Sequence, residues 1–280
     1  MNIGIVREFV EIDQPSPFVT VRIRLGVVRI PSARLRNMAA VRILTWNCGM
    51  ALARKVPNLL ALNPDIAVVQ ECSEKSVEVL HGHGLSGLWF GANPNKGLAV
   101  FCSAQFKVKA VDKLFGKWVV PVRVHGAVAA FNLLAIWACP VGTRRADNYI
   151  GEVHRCLVKH RGWFNNAPAV AAGDFNSNVQ WDANHPGRNH TEVVRLFEGH
   201  GLISAYHAHH GEKQGTETRP TYYFYRHRDK PFHIDYVFVP TSWRLSSVEV
   251  GSFREWGHLS DHVPVVADVS IGGGDGSSRR

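Results

Sequence analysis

The sequence predicts an α/β fold, and three observations support this prediction. Short apolar runs rich in Val, Ile and Ala recur along the chain at lengths typical of buried strands. Segments with apolar residues at helical spacing lie between several of these runs. No long linker or internal repeat interrupts the pattern. We therefore expect one α/β domain over residues 38–272, an atypical extension at 1–37 and a flexible tail at 273–280.

The predicted elements follow one another in a mixed order. Apolar or alternating runs predict strands at 41–47, 65–71, 97–102, 106–114, 127–139, 168–176, 233–240 and 262–271. The run at 127–139 is long enough for one strand or two. Helical spacing predicts helices at 53–63, 147–160 and 191–200.

The composition is that of a globular protein with a basic surface. Hydrophobic residues make up 45% of the 280, and 32 Lys and Arg against 23 Asp and Glu give a formal charge of +9. This balance favours anionic partners such as nucleic acid, phosphorylated metabolites or anionic lipid, without choosing among them. Five widely spaced cysteines without a CxxC pair predict reduced, mostly buried thiols and a cytoplasmic location. No apolar run approaches the ~20 residues of a membrane span.

The first 37 residues differ from the rest of the chain. They are rich in Arg and Val and lack the apolar core of a secretory signal. They also carry Glu8, Glu11 and Asp13, which a transit peptide disfavours. Our hypothesis is that Met38 is the natural start and that residues 1–37 are disordered or not native.

Polar side chains stand at the ends of several predicted strands. The segment "GDFNSN" (173–178) follows an apolar run, and its residues are also turn formers, so a turn and a site both stay open on local grounds. One such end alone is more often a cap, a turn or a surface residue. However, strand ends share one edge of a sheet, where α/β folds tend to build sites. The candidate residues are Asn47, Glu71, Asp174, Asn176, Asp235, Asp261 and His262.

Three of these residues suit a hard cation. Mg²⁺ prefers oxygen ligands, keeps several waters and takes one or two carboxylates together with a substrate phosphate. Glu71 is the main candidate ligand, with Asn47 or Asp261 assisting. The predicted cofactor is therefore Mg²⁺.

The other four suit the hydrolysis of a phosphoester. Asp174 could hold or deprotonate a water, and Asn176 could donate to a non-bridging oxygen as charge develops. A carboxylate orients an imidazole and stabilises its protonated form, which pairs His262 with Asp235. Catalysis would rest on positioning and on neutralising charge at phosphorus.

These residues also carry a resemblance to a known family. The segments "TWN" (45–47), "QE" (70–71), "GDFN" (173–176), "IDYVF" (234–238) and "SDHVPV" (260–265) resemble, in order, the signature set of the endonuclease/exonuclease/phosphatase superfamily, the deoxyribonuclease I-like fold. The resemblance implies a four-layer α/β/β/α sandwich of two mixed, largely antiparallel sheets. It implies Mg²⁺ or Mn²⁺ at one sheet edge, and it assigns metal, water and catalytic pair to the same residues as the chemistry above.

One position departs from the family pattern. The family usually places a His or Tyr on the central strand before a Pro, whereas "LLAIWACP" places Trp137 three residues before Pro140. Trp cannot act as a general acid and donates only through its indole N–H, so the proton donor for the leaving group stays open. The Asp that some members carry after "TWN" is also missing, because Cys48 and Gly49 stand there.

Some residues outside the motifs are candidates for substrate contact. Arg226 lies in "TYYFYRHRDKPFH" (221–233), whose interleaved aromatic and basic residues suit stacking on bases and pairing with phosphates. An alternating strand with a charged tip and an exposed arginine loop are the competing interpretations. The full candidate set is Trp137, Arg144, Arg145, Tyr149 and Arg226.

Two further segments receive structural interpretations. "NPNKG" (93–97) has turn chemistry, and we expect Lys96 to be a solvated side chain. His207 and His209 would point the same way only in an extended chain, and no cysteine accompanies them, so a second metal site is not favoured.

The sequence thus predicts a divalent-metal-dependent phosphoesterase that hydrolyses phosphodiester bonds, with a nuclease as the leading hypothesis. Its expected partner is nucleic acid or another phosphodiester, and we expect a monomer. A phosphatase or phospholipid phosphodiesterase of the same fold is the first alternative, although no membrane-anchoring stretch or lipidation signal supports a lipid substrate. A non-catalytic binding module is the second, and only the lost His or Tyr position argues for it.

Overall fold

The computed structural model describes residues 18–23, 26–31, 40–127 and 129–271. The chain divides into two units, Met1–Ala40 and Val41–Arg280. The described part of the first unit is an antiparallel hairpin of β1 (Phe18–Ile23) and β2 (Gly26–Pro31). Met38 and the predicted C-terminal tail lie outside the described residues.

The rest of the described chain alternates strands and short helices. The strands are β3 (Ala40–Asn47), β4 (Ile66–Cys72), β5 (Ser86–Asn93), β6 (Lys96–Cys102), β7 (Phe106–Ala110), β8 (Val119–Gly126), β9 (Ala130–Trp137), β10 (Ala169–Asp174), β11 (Leu202–Ser204), β12 (Tyr222–Tyr223), β13 (Pro231–Phe232), β14 (Asp235–Pro240), β15 (Arg244–Val250) and β16 (Val265–Ser270). The helices are α1 (Val56–Ala61), α2 (Ser76–His81), α3 (Ile150–Lys159), α4 (His190–Gly199), α5 (Ala205–His210) and α6 (Phe253–Trp256). Short 3-10 helices cover Leu52–Arg54, Arg145–Asp147, Arg161–Phe164, Val179–Asn184 and Phe224–Arg226.

Twelve of these strands form two six-stranded mixed sheets. The first has the order β15-β16-β3-β4-β6-β5, and the second has the order β11-β14-β10-β9-β8-β7. The pair β3/β4 is parallel in the first sheet and β9/β10 in the second, while the other pairs with assigned registers are antiparallel. The small strands β12 and β13 pair with each other, and Tyr222 of β12 also forms an isolated antiparallel bridge with His262. The prediction of two mixed, largely antiparallel sheets is confirmed.

Three buried apolar clusters place the sheets in the middle of a four-layer sandwich. The central cluster joins inner faces of both sheets and includes Val41, Val68, Val122, Ala135 and Val170. Alternate residues of the same strands point outward, because side chains of a strand alternate between its two faces. On the first sheet these outward residues pack with α1, α2 and α6, and on the second with α3 and α4. The predicted α/β/β/α sandwich is confirmed.

The observed elements differ from the predicted ones in the middle of the chain. The run at 127–139 forms the single strand β9, and the strand β8, which was not predicted, precedes it and contains Pro121, a residue disfavoured within a sheet. The pairing explains this, because β7 pairs β8 only from Val122 onward and so leaves one side of Pro121 without a partner strand. The strand predicted at 106–114 ends at Ala110.

The helices of the described residues are short. The longest, α3 and α4, have ten residues each, and no helix in the described ranges is both long and apolar enough to span a bilayer. Side-chain capping fixes where some of them begin. The Asn189 side chain accepts a hydrogen bond from the Glu192 backbone N–H at the start of α4. Asn178 caps the 3-10 helix Val179–Asn184 in the same way.

Candidate active site

Three neighbouring strands of the second sheet place Trp137, Asp174 and Asp235 in one row. The register pairs Asp174 with Trp137 on one side and with Asp235 on the other. The residues two and four positions away on these strands belong to the cluster between the sheets. By strand alternation, all three side chains therefore face the first sheet. Both carboxylates are fully buried.

The first sheet contributes polar side chains that face this row. Asn47 ends β3, and its Nδ2 donates to Asp174 Oδ2 over 3.1 Å. Gln70 is its register partner on β4, and its Nε2 donates to Thr45 Oγ1 and to the Ile136 carbonyl of the second sheet. Two buried amides thus connect the two sheets at the end where the strands finish.

The "GDFN" segment is both a turn and part of the site. Gly173 has φ 155° and lies so close to the neighbouring strand that a Cβ would come within 1.9 Å of the Ile136 carbonyl oxygen. Phe175 packs into the outer cluster, away from Asp174. Asn176 adopts φ 44°, and its backbone N–H and Nδ2 donate to the two oxygens of Asp174. The second hydrogen of Nδ2 is directed to the Ala138 carbonyl.

His262 is held against Asp235 by a direct hydrogen bond. Its Nδ1 lies 2.9 Å from Asp235 Oδ2, and its Nε2 lies 4.0 Å from Asp174 Oδ2. Two hydroxyls position the partners: Thr221 Oγ1 accepts from the Asp235 backbone N–H, and Ser260 Oγ accepts from the His262 N–H. The imidazole is thereby placed between two carboxylates in a site closed to bulk solvent.

This burial changes the protonation of the group. Burial raises the pKa of Asp174 to about 7, although the charge of His262 and the hydrogen bond from Asn47 act in the opposite direction. Burial alone would lower the pKa of His262, but the charges of Asp235 and Asp174 outweigh it and raise that pKa to about 9. At neutral pH the imidazole is therefore protonated, and Asp174 is close to its titration midpoint.

A second, more exposed group of charges lies beside the buried one. A β-bulge between Gln70 and Cys72 leaves Glu71 as the extra residue, with φ 58°, and aims its side chain into the site. Glu71 Oε2 lies 3.0 Å from Lys96 Nζ. Asp261 is half-buried, and its Oδ1 lies 3.4 Å from Ser260 Oγ.

These residues fit a divalent cation. Glu71 and Asp261 supply carboxylate oxygens and Asn47 an amide oxygen, which is the donor set that Mg²⁺ or Mn²⁺ prefers. Burial raises the pKa of Tyr222 to about 12, and the charges of Asp261, Asp174 and Glu71 add to this effect, so the carboxylates share one negative region.

The described residues also contain a metal-sized group of ligand atoms deeper in the site. Oxygens of Asp174 and Asp235 and a ring nitrogen of His262 all lie within 4.8 Å of one another. A protonated imidazole offers no lone pair to a metal. Both groups therefore offer ligand types that suit a divalent cation, the buried one once its imidazole has lost the proton.

An aromatic pocket of about 640 Å³ opens beside the row of polar residues. It reaches from Asn176 to Tyr222, whose ring lies 4.5 Å from the ring of His262. Trp181 and Phe232 form its wall, with ring centroids 5.1 Å apart. Such a pocket offers flat apolar faces immediately next to the reacting centre.

The predicted substrate-contact residues have different positions. Trp137 is buried in the row, and Tyr149 lines the aromatic pocket. Arg144 is exposed in the loop after β9, and the Arg145 side chain lies outside the described part. Arg226 is exposed and donates to the carbonyls of His258 and Leu259. The interpretation of 221–233 as one alternating strand is wrong, because β12 and β13 are only two residues long and a turn joins them.

Several residues without a predicted role also shape the site. Thr221 and Ser260 accept hydrogen bonds from the backbone N–H groups of Asp235 and His262, and the Gln70 amide links the two sheets. Lys55 is buried, with its pKa lowered by burial, and its Nζ donates to the carbonyls of the loop after β3. Lys96 was expected to be solvated, but it pairs with Glu71 of the neighbouring strand β4. Its place just before an apolar run was the only signal.

The sequence matches the model of the Endonuclease/Exonuclease/phosphatase family over residues 44–262. The chain belongs to this family. The matched range includes all the residues of the buried and the exposed charged groups described above, from Asn47 to His262. Enzymes of the endonuclease/exonuclease/phosphatase family are hydrolases of phosphodiester bonds and generally use a divalent metal.

Solved structures of the endonuclease/exonuclease/phosphatase family share this fold. A family protein from Bacteroides vulgatus is 18% identical, with a TM-score of 0.60 over 83% of this chain and 99% of its own. An AP endonuclease from Archaeoglobus fulgidus is 18% identical, with a TM-score of 0.60 over 81% and 98%. A 3'-5' exonuclease from Neisseria meningitidis is 20% identical, with a TM-score of 0.56 over 82% and 100%. No curated protein matches the chain in sequence.

Proposed function

We propose that this protein is a divalent-metal-dependent phosphodiesterase that acts on nucleic acid. The observation that carries the proposal is the arrangement around Asp174. Its carboxylate is fully buried, is held by Asn47 and Asn176, and lies 4.0 Å from His262 Nε2, with the carboxylates of Glu71 and Asp261 as candidate cation ligands. A phosphodiester needs these parts: an activated water, a positive group near the phosphate and a place for a metal.

In the proposed reaction, Asp174 accepts a proton from the attacking water. The water oxygen forms the new bond to phosphorus while the bond to the leaving oxygen breaks, and the leaving oxygen takes a proton from solvent. A carboxylate with a pKa of about 7 is well matched to this role, because proton transfer is most effective when the pKa of the base is near the working pH. Asn47 and Asn176 orient the carboxylate.

His262 stabilises the negative charge that develops on the phosphate. Asp235 holds the ring through Nδ1, which leaves Nε2 free to donate toward the substrate. Donation from Asn176 to a phosphate oxygen would require its Nδ2 to release the Ala138 carbonyl. A cation held by Glu71 and Asp261, with Asn47 nearby, would supply Lewis-acid stabilisation of the phosphate oxygens.

The surroundings of the site support nucleic acid as the substrate class. The aromatic pocket beside Asn176 can stack a base or enclose a sugar. Lys230 lines the same pocket, and Arg226 and Arg228 are exposed on the turn that follows β12. Together with the net charge of +9, these groups favour a polyanion over a neutral surface.

A substrate panel tests this proposal directly. Purified protein is incubated with DNA, RNA, bis-p-nitrophenyl phosphate, a 3'-phosphorylated oligonucleotide and phospholipid vesicles, with Mg²⁺, Mn²⁺ or EDTA. We expect metal-dependent cleavage of a nucleic acid. Release of phosphate alone would support the phosphatase alternative, and hydrolysis of lipid alone the phospholipid phosphodiesterase. No turnover on any substrate would leave the non-catalytic binding module.

A further inference from the structure

Lys96 lies at the rim of the site and has no part in the water attack described above. It begins β6, directly after the tight turn at Pro94 and Asn95. Its ammonium lies 3.0 Å from Glu71 Oε2 and over the ring of Trp137, 5.3 Å from the ring centroid. A cation over an indole face is attracted by the ring quadrupole. The ammonium is therefore held at a defined place.

The backbone of two strands fixes this place. The bulge in β4 turns Glu71 toward the start of β6, where Gly97 pairs with Cys72. Gly97 packs so closely on the opposite strand that a Cβ would meet the Phe90 carbonyl oxygen at 2.5 Å. Lys96 is thus carried on a rigid hairpin end, while its own side chain remains 42% exposed and able to turn.

The order of Trp137, Asp174 and Asp235 along the row determines where Lys96 lies relative to a bound phosphate. Asp174 lies in the centre, with Asp235 and His262 on the β14 side and Trp137 on the β9 side. Because Lys96 stacks on Trp137, a phosphate in front of Asp174 would lie between two cations, His262 and Lys96. Trp137 itself has no acidic proton to offer on its side.

We propose that Lys96 is a catalytic residue that stabilises the leaving group, with Trp137 as its platform; this inference rests on the proposed function. Lys96 would be repelled from the carboxylate toward the substrate if Glu71 held a divalent cation, because the two charges are alike. The bond from phosphorus to the leaving oxygen breaks, and the electron pair remains on that oxygen. Lys96 contacts this oxyanion and keeps its own proton, while solvent supplies the proton that the oxygen takes up.

The proposal makes two measurable claims about Lys96→Met, which removes the charge and keeps the side-chain length. Loss of one donor to a developing oxyanion costs about 10²–10³-fold in kcat. We expect this loss on a DNA oligonucleotide, whose leaving group is a basic alkoxide, and less than about tenfold on bis-p-nitrophenyl phosphate, whose leaving group needs little stabilisation. Calorimetry with Mn²⁺ alone should show about fivefold tighter binding, because a competing cation has left Glu71.

Three further variants complete the test. Lys96→Arg keeps the charge and should recover part of the rate on DNA. Trp137→Phe keeps a ring with a weaker quadrupole and should reproduce part of the selective loss. Lys109→Met removes a more exposed lysine on β7 and should leave turnover of both substrates unchanged.

The outcomes separate this inference from the proposed function. Equal losses on both substrates, or an Mn²⁺ affinity that Lys96→Met leaves unchanged, would overturn the role of Lys96 while wild-type turnover upholds the phosphodiesterase. A wild-type protein that cleaves neither substrate with metal would overturn both. A selective loss on DNA together with tighter Mn²⁺ binding supports the proposal.

Discussion

Two histidine–carboxylate pairs in this molecule have almost the same geometry and different surroundings. His262 and Asp235 are 2.9 Å apart in the candidate active site, and His207 and Glu217 are 3.0 Å apart beneath α5. Among the described residues, Asp235 Oδ1 has no hydrogen-bond partner. In contrast, both oxygens of Glu217 are engaged, by His207, by the Gly215 N–H and by Asn178.

In the His207–Glu217 pair, the other ring nitrogen of the histidine also has hydrogen-bond partners. His207 Nδ1 lies 2.7 Å from Ser204 Oγ and 3.3 Å from Gln214 Nε2. A pair with every lone pair and hydrogen engaged has nothing left to offer a substrate, and it stabilises the fold. His262 has a free Nε2 that faces a second carboxylate at 4.0 Å. We infer that unsatisfied hydrogen-bonding capacity, rather than the pair itself, distinguishes the reactive site from the structural one.

The largest expected effect on turnover is at Asp174, the second carboxylate beside His262, which has no counterpart beside His207. Asp174→Asn keeps the shape of the side chain and removes the proton acceptor, so kcat should fall by about 10²–10⁴-fold on the substrate found in the panel. Steady-state kinetics measures this loss, and circular dichroism checks the fold. Asp112→Asn, the same change at an exposed position, should leave the rate unchanged. Turnover by Asp174→Asn at the wild-type rate would remove the proposed base.

The next effect concerns His262. His262→Gln keeps a donor and loses the positive charge, so kcat/KM should fall by about 10²–10³-fold. In the wild type, kcat/KM should rise with pH as Asp174 ionises through about 7 and fall as His262 loses its proton through about 9. The variant should lose the alkaline fall. An alkaline limb that persists in the variant would contradict the assignment of that limb to His262.

The matching change in the structural pair should affect stability instead of turnover. His207→Ala removes the hydrogen bond from the imidazole to the buried Glu217 Oε1, which then keeps only the Gly215 N–H, and loss of such a bond to a charged group costs about 1.5–3 kcal/mol in the free energy of unfolding. Urea unfolding measures this loss, and kcat of the folded protein should stay within about twofold. If kcat of His207→Ala fell as far as in the His262 variant, the distinction between the two pairs would fail.

The smallest expected effect is on the pH dependence of folding stability, which should have opposite signs for the two pairs. Burial opposes ionisation of Glu217, but hydrogen bonds from His207 and the Gly215 backbone outweigh it and lower the pKa to about 2. Its contribution to stability is therefore complete above the unfolded value near 4.5 and is lost as pH falls through about 2. The raised pKa of His262 gives the opposite sign: its contribution is complete below 6.5 and is lost as pH rises through about 9.

Unfolding free energies of Glu217→Gln and His262→Gln across pH 2–10 check these signs. The first variant should lose part of the acid-side slope of the wild type, and the second should lose part of the alkaline-side slope. Identical slopes in wild type and variants would show that neither pair is linked to folding.

The sequence predicted the two sheets and brought the right strand ends together, because those features depend on local alternation and on chain order. Asp174, Asp235 and His262 lie on elements whose apolar patterns are unambiguous. Lys96 could not be predicted, because its contact with Glu71 depends on a bulge that places one extra residue of β4 opposite β6. The turn at 221–233 was also missed, since aromatic and basic residues alternate there without forming a strand.

The close approach at Gly173 has a consequence for how the family motif is understood. No Cβ fits beside the Ile136 carbonyl, so any other amino acid would push β9 and β10 apart at the point where Asp174 begins. The first letter of "GDFN" is therefore dictated by the spacing of two strands. A larger residue at position 173 would move the Asp174 carboxylate out of the row that it shares with Trp137 and Asp235.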